Sequence, residues 1–472
     1  ALEYLSKAGD KFAAAFANQE ALDYYAQAQE ACGKLGASWL ATSVDLAKRR
    51  GLVNVRIGDF LSAIADFDSM LVSALNLADR HQEAIALAYR GWAELRNHDP
   101  QTAEGTLRSA LALAEEGLED VRFFASLGLG AACLVYNRHA EGEPFFRVAE
   151  KLAPKADDLF VLGWWGLYGS LWPHWQGRFD DALKVQADLH GSFSKGGVAF
   201  LMNSWVEAMA RGGKGDYEQA LTLLEEVIAD SKRIGDIWFL ARTLNTIGWL
   251  YSELQDHGQA MAWNERGVEA VRAATFPDPE IENNSRLNLG DNLLALGRLD
   301  EAEDHFQKVE QVVRNPRPQD KYMLWRYSQR LFHSYGEVWL DRNKLDKAKA
   351  YADECLALAE QSRSQKNIVK ARRLRGEIFL ERGKLQEAGQ ELSIALKVAQ
   401  SVGNPTQLWK TYMVQGDLCE AQGQPDDAWQ TYRDALAVIE KVAAGLKNKS
   451  LRETFITSKH VQEVRQKAQR DN

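Results

Sequence analysis

Short polar turns punctuate this chain at even spacing, and the stretches between them carry the apolar periodicity of amphipathic helices. The turns read GDFLSA, GRFDDA, GDYEQA, GRLDEA, NKLDKA, GKLQEA and GQPDDA, and each ends on an alanine. Those alanines are Ala63, Ala182, Ala220, Ala302, Ala348, Ala388 and Ala428, while Ala21, Ala103, Gly142 and Ala260 hold the same place in less regular turns. Successive steps are 42, 40, 39, 40, 38, 40, 42, 46, 40 and 40 residues. Twelve residues before each of them stand Gly9, Gly51, Gly91, Gly130, Ser170, Ala208, Gly248, Gly290, Gly336, Gly376 and Gly416. A small residue held at one phase along the whole chain marks an internal repeat. Glycine inside a helix costs about 1 kcal/mol against alanine, so close packing has to offset that cost.

These small residues, with an aromatic four places after the alanine (Tyr25, Phe67, Phe146, Phe306 and Tyr432), resemble the tetratricopeptide pattern. In that family the glycine lies where paired helices cross closely. The resemblance implies an all-α fold, a right-handed superhelical solenoid of about eleven TPR-like helix pairs. The family repeat is about 34 residues and this one about 40, so each helix is expected to be longer by roughly a turn. No single pair can bury its apolar face alone, so neighbours must stack into a continuous core.

Two places break the rhythm. Pro173 and the stretch Arg211-Gly-Gly-Lys-Gly215 interrupt the fifth and sixth repeats, and Asn315-Pro-Arg-Pro318 separates the eighth from the ninth. A helix cannot run through the latter. The expected organisation is repeats 1–5 over 1–190, repeats 6–8 over 191–314, repeats 9–11 over 315–446, and a C-terminal capping helix or tail over 447–472. A hinge near 190–215 and a merely longer loop both fit the first break.

The stretches ALEYLSKAGDKFAAAFANQEALDYYAQA and LGRLDEAEDHF, and the tail SLRETFITSKHVQEVRQKA, resemble the C-terminal TPR regions of bacterial multidomain signalling proteins. Those proteins join a cyclase or kinase domain to an ATPase module of the STAND or AAA type. The resemblance implies a regulatory, partner-sensing region, with the N-terminal domains of its own parent chain among the possible partners and further sequence on the N-terminal side.

Composition narrows the function. The net charge of −9 disfavours generic nucleic-acid binding. Cys32, Cys133, Cys355 and Cys419 have no metal-ligand spacing and read as buried free thiols of a cytoplasmic protein. The longest apolar run, Leu159 to Trp172, is too short to cross a bilayer. No phosphate loop, HExxH, CxxC or GxSxG motif occurs, so the reading is not an enzyme, with no catalytic residue, metal or cofactor.

Placing the first helix of each pair on the concave face aims a set of apolar side chains inward. They include Ile85, Trp92, Phe124, Leu127, Leu134, Trp164, Leu167, Leu171, Met202, Trp205, Met209 and Trp249. As a groove, these would seat an amphipathic helix or apolar segment of a protein or peptide partner; alternatively they fill the interior of a tightly curled solenoid. Repeats eight to eleven differ: Asp291, Glu337, Glu377 and Asp417 share one inward position, Arg330, Lys370 and Lys410 a second, and His333 and Arg373 a third. Acid and base are thus set to pair between neighbouring repeats. Residues 314–384 hold seventeen Lys/Arg against nine Asp/Glu, a basic block that suits an acidic partner domain, a nucleotide or a nucleic-acid backbone, or is simply solvated helix surface. The expected function is protein–protein interaction and regulation, with a sensor of small apolar ligands and a passive spacer as the alternatives.

Overall fold

A computed structural model describes residues 1–114, 117–193, 195, 197–274 and 278–469 of the chain. The last three positions of the expected tail, 470–472, lie outside them. Among the described residues there is no strand, and the helices come in consecutive pairs. The first four pairs are α1 (Leu2–Ala14) with α2 (Asn18–Leu35), α3 (Leu40–Ile57) with α4 (Phe60–Leu77), α5 (Arg80–Arg96) with α6 (Pro100–Leu113), and α7 (Glu119–Val135) with α8 (His139–Leu152). Next come α9 (Leu159–Trp175) with α10 (Phe179–Asp188), α11 (Val198–Lys214) with α12 (Tyr217–Ile234), and α13 (Ile237–Glu253) with α14 (His257–Arg272). The last four are α15 (Pro279–Ala295) with α16 (Leu299–Arg314), α17 (Leu324–Asp341) with α18 (Leu345–Gln361), α19 (Gln365–Glu381) with α20 (Leu385–Val402), and α21 (Pro405–Ala421) with α22 (Pro425–Gly445). Two shorter helices, α23 (Lys449–Thr457) and α24 (Lys459–Lys467), follow them.

The turn inside a pair has a simple chemistry. Between α3 and α4, Gly58 takes the left-handed backbone (φ +82°) that closes a helix, and the Asp59 carboxylate accepts the Ser62 amide at 3.1 Å to open the next. Asp99 and Asp256 cap their helices in the same way, and Asp79 does so between two pairs, at the start of α5. The Asn315–Pro318 break is a short loop leading into a 3-10 turn, Pro318–Lys321, before α17.

The phased glycines have one task. A Cβ built on Gly51 would stand 2.6 Å from the Phe67 ring, and Phe67 is fully buried. Gly9 meets Tyr25, Gly130 meets Phe146, Gly290 meets Phe306, Gly376 meets Leu392 and Gly416 meets Tyr432 in the same arrangement. In every case the partner lies sixteen residues on, in the second helix of the pair. Where the pattern carries Ser170, its hydroxyl accepts the Gln186 side-chain amide at 2.8 Å across those two positions. Gly336 departs from the rule, since Leu374 of the following pair fills its space.

By Cα packing the chain forms two units. One comprises Ala1–Tyr168 with Phe193–Ala199 and Ser231–Asp236; the other comprises Gly169–Ser192, Phe200–Asp230 and Ile237–Asn472. In the first, Phe67 stacks on Tyr89 at 5.3 Å and Tyr89 meets Phe124 edge-on at 5.1 Å. The second has a core around Phe306, Tyr327, Leu331 and Tyr335. All four cysteines are buried and free. Among the described residues α4 alone has the length and hydropathy of a membrane span, and here it packs against α3 and α5, with Leu61, Val72 and Leu75 exposed.

Gly51→Ala tests the close approach. The gain in helix propensity is about 1 kcal/mol, while overpacking against Phe67 costs about 1–3 kcal/mol. A lower thermal midpoint is expected, whereas alanine at the exposed Gly105, whose added Cβ meets nothing, should not lower it.

Candidate functional site

The second unit closes on itself. The turn joining α11 to α12 packs against the start of α21, where Pro405 fills the space beside Gly215. Asn404 Nδ2 donates to the Gly213 carbonyl at 2.8 Å, and Tyr217 Oη lies 3.3 Å from Thr406 Oγ1. Beyond α22, the backbone amides of Lys447 and Asn448 donate to the Glu218 carboxylate at 2.6 and 3.1 Å. The sixth pair therefore meets the eleventh, and the first helices between them enclose a concave chamber of about 630 Å³. That volume lies in the range of small-molecule sites.

Charge dominates the lining. Arg326, Arg330, Lys366, Lys370, Arg373 and Lys410 face the chamber, as does Lys459 of α24. The carboxylates are Glu253, Asp291, Glu337, Asp341 and Glu377. Arg330 pairs with Asp291 of the preceding repeat at 3.1 Å and donates to Asn284 at 3.2 Å. Lys366 stands 3.6 Å from Glu253 and 4.8 Å over the Trp249 ring, and Trp249 Nε1 donates to Glu253 at 2.8 Å. Arg373, 4% exposed in its side chain, donates to Gln407 at 2.9 Å and approaches Glu377 no closer than 3.8 Å. Lys370 and Lys410 make no hydrogen bond or ion pair of their own among the described residues.

Burial decides the protonation states. His333 is 3% exposed, and neither ring nitrogen has a hydrogen-bond partner, with Nδ1 3.4 Å from Glu337. Burial, then Lys370, Arg373, Lys410 and Arg330, holds its pKa well below the usual imidazole value, so the ring is neutral. Burial and neighbouring cations also push His174 down to about 3 and His460 down to about 4, and burial lowers His257. Burial raises the carboxyls of Glu337 and Glu377, the latter to about 7 despite the cations nearby. Burial lowers the ammonium pKa of Lys366 and Lys410. Among the described residues no group of histidines, cysteines and carboxylates could hold a metal ion.

The sequence-derived polar set gathers here. Arg330, His333, Glu337, Lys370, Arg373, Glu377 and Lys410 all line the chamber, with Met209 and Trp249 beside them. Asp417 does not: it accepts from Tyr432 at 2.7 Å and pairs with Lys467. Of the acid–base ladder, only Arg330–Asp291 forms an ion pair between repeats. The other basic residues of 314–384 are largely spent on partners elsewhere, as in Arg314–Glu354, Arg372–Glu391 and Arg375–Asp353.

Apart from Met209 and Trp249, which line the chamber, the apolar set is buried, so those side chains pack rather than line an open groove. In the first unit Trp92 stacks on Phe124 at 5.4 Å, donates from Nε1 to the Phe124 carbonyl at 3.2 Å, and meets Trp164 at 5.1 Å. Trp164 stacks on Tyr168 in turn, and Ile85, Leu127, Leu134 and Leu167 are buried. In the second unit Trp205 Nε1 donates to Thr246 at 2.8 Å, and Leu171 and Met202 are buried. The sequence left a groove and a filled interior both open, and these side chains cover one another. His174, whose place on a helix face reads from the sequence as solvated or core, also lines the chamber, as do Trp175, Glu253, His257, Lys366 and His460, which no motif marks. For Lys366 a signal existed, since it lies one helical turn before Lys370. The others depend on which elements come around to face α17 and α19.

Glu377 gives the chamber a pH signature. Its carboxyl titrates near 7 in the folded state against an ordinary 4.5. The stability this confers is complete below the ordinary value and lost as pH rises through 7. Glu377→Gln should remove that loss. The variant should gain about 1–3 kcal/mol on wild type between pH 5 and pH 8, read from urea midpoints at each pH. An equal difference at both pH values would show that the carboxyl ionises normally.

Residues 280–444, spanning the eighth to eleventh pairs, match the family described as the MalT-like TPR region. No curated protein matches the chain in sequence. Among solved structures it is similar to a Rap protein complexed with competence and sporulation factor, at 13% identity and a TM-score of 0.58, over 77% of this chain and 100% of that one. It is also similar to the APC/C hetero-tetramer Cut9–Hcn1, at 12% identity and a TM-score of 0.48 over 99% and 96% of the two chains. A third likeness is to NprR in complex with its cognate peptide NprX, at 12% and 0.46 over 72% and 98%. With its paired helices and phased glycines, the chain is an all-α solenoid of the tetratricopeptide type, similar over 280–444 to the TPR region of MalT-like proteins.

Proposed function

We propose that this chain is a regulatory module that binds an acidic segment of a protein or peptide partner in the chamber of its second unit. The partner is a separate protein or the N-terminal domains of the module's own parent chain. The observation that carries the reading is the pair of ammonium groups without a hydrogen bond or ion pair, Lys370 and Lys410, beside a buried His333 whose ring nitrogens make no hydrogen bond. Side chains that merely stabilised the solenoid would be expected to pair, as Arg330 and Asp291 do. The Rap protein of similar fold, complexed with competence and sporulation factor, supports the idea that such a scaffold holds a ligand. The apolar-ligand alternative has less to rest on, since the aromatic side chains it needs are buried against one another.

Selection from a displayed library of random linear peptides tests the reading. Recovered sequences should be rich in Asp and Glu, and Lys370→Glu/Lys410→Glu should abolish their binding. An apolar or basic consensus, or one indifferent to the double variant, would refute the chamber as the partner site.

A further inference from the structure

The groups around His333 form a more selective site than general attraction for acidic chains requires. Lys370 and Lys410 present ammonium groups with no carboxylate in contact, and Arg373 holds its carboxylate neighbour only at 3.8 Å. Neither ring nitrogen of His333 makes a hydrogen bond, although the side chain is only 3% exposed, and the Glu337 carboxylate comes no nearer to Nδ1 than 3.4 Å. Glu337 and Glu377 project from α17 and α19 into the same space. We propose that this corner of the chamber is a phosphoryl-binding site, in which Lys370, Lys410 and Arg373 neutralise the dianion and His333 donates to one of its oxygens. The proposal rests on the chamber being the ligand site and adds the chemical class of the group it takes.

The charge count favours a phosphoryl group over a single carboxylate. Lys370, Arg373 and Lys410 all act electrostatically on the buried His333 ring, and a phosphate monoester carries about −1.5 to −2 at neutral pH, against −1 for a carboxylate. Its three terminal oxygens also suit donors arriving from several helices, since α17, α19 and α21 supply His333, Lys370 with Arg373, and Lys410 respectively. The two glutamates would oppose such a ligand if both were ionised. Burial raises the pKa of each, that of Glu377 to about 7, which lessens the opposition, and whichever carboxyl holds a proton can donate to phosphate. Pairing also explains why part of the basic block is left unspent: its outward arginines have carboxylate partners, while Lys370 has none. The phosphoryl group can come from a free phosphate compound or from a phosphorylated residue of the partner, and the same donors would serve both.

The test is a calorimetric titration of the full chain with inorganic phosphate, O-phosphoserine and glutamate at constant ionic strength. Saturable binding at one site is expected for a phosphoryl probe, at least tenfold tighter than for glutamate. Lys370→Gln/Lys410→Gln should weaken it at least tenfold while leaving the thermal midpoint of the unliganded chain unchanged. Should that variant unfold, the ¹⁵N shifts of the His333 ring in the wild-type chain supply the readout, because they must move on titration with the phosphoryl probe. Binding of inorganic phosphate alone identifies a free phosphate as the source, and binding of phosphoserine alone identifies a phosphorylated partner. Equal binding of glutamate and phosphate overturns the proposal but leaves the acidic-partner reading standing. No binding of any probe, with a static His333 ring, also overturns it, and the peptide selection then judges the acidic-partner reading separately.

Discussion

The missing side chain at one phase of the repeat is what lets the paired helices touch. At Gly51, Gly130 and Gly416 a ring from the second helix occupies the volume a Cβ would need, and that ring is among the most buried groups in the chain. The exchange is favourable because burying an aromatic side chain is worth more than the roughly 1 kcal/mol of helix propensity forgone. In these pairs the approach sets how closely the two helices pack. Gly336 shows that the requirement is for closeness rather than for one partner, since Leu374 of the next pair takes the space.

Inward faces then receive different chemistries in the two units. In the first, tryptophan, tyrosine and phenylalanine rings stack from one pair to the next and leave little surface between them. In the second, the inner lining is a mixture of cations, carboxylates and imidazoles held in reduced contact with water. Burial keeps the four histidines neutral and drives two carboxyls toward their protonated forms, so formal charge overstates what the chamber carries. An excess of positive charge remains at Lys370 and Lys410.

The repeat was legible because a glycine in mid-helix is costly and is kept only for a packing reason, so its phase along the chain exposed the fold. The inward phases of Arg330, His333, Lys370 and Lys410 followed from the same count, which is why the polar site could be read at all. Two things could not follow from it. How closely successive pairs coil decides whether Trp164 and Trp205 are covered, and no local pattern reports that. Contacts such as Asn404 with Gly213 join residues nearly two hundred positions apart and leave no periodic trace. His174, His257 and His460 reach the site through such packing, and no ligand spacing in the sequence links them.

Closure between the sixth and eleventh pairs changes the kind of polymer the second unit is. A linear array of repeats is held by nearest-neighbour interfaces and can lose its terminal members one at a time, as a one-dimensional lattice does. Here the Glu218 carboxylate grips the backbone of Lys447 and Asn448, and Asn404 grips that of Gly213. The end of the array is thereby tied to its beginning, and fraying from the C-terminal side must break those contacts as well as a local interface. Such a loop behaves as a hoop rather than a zipper: it costs chain entropy to close, forms late for that reason, and once formed resists piecemeal opening.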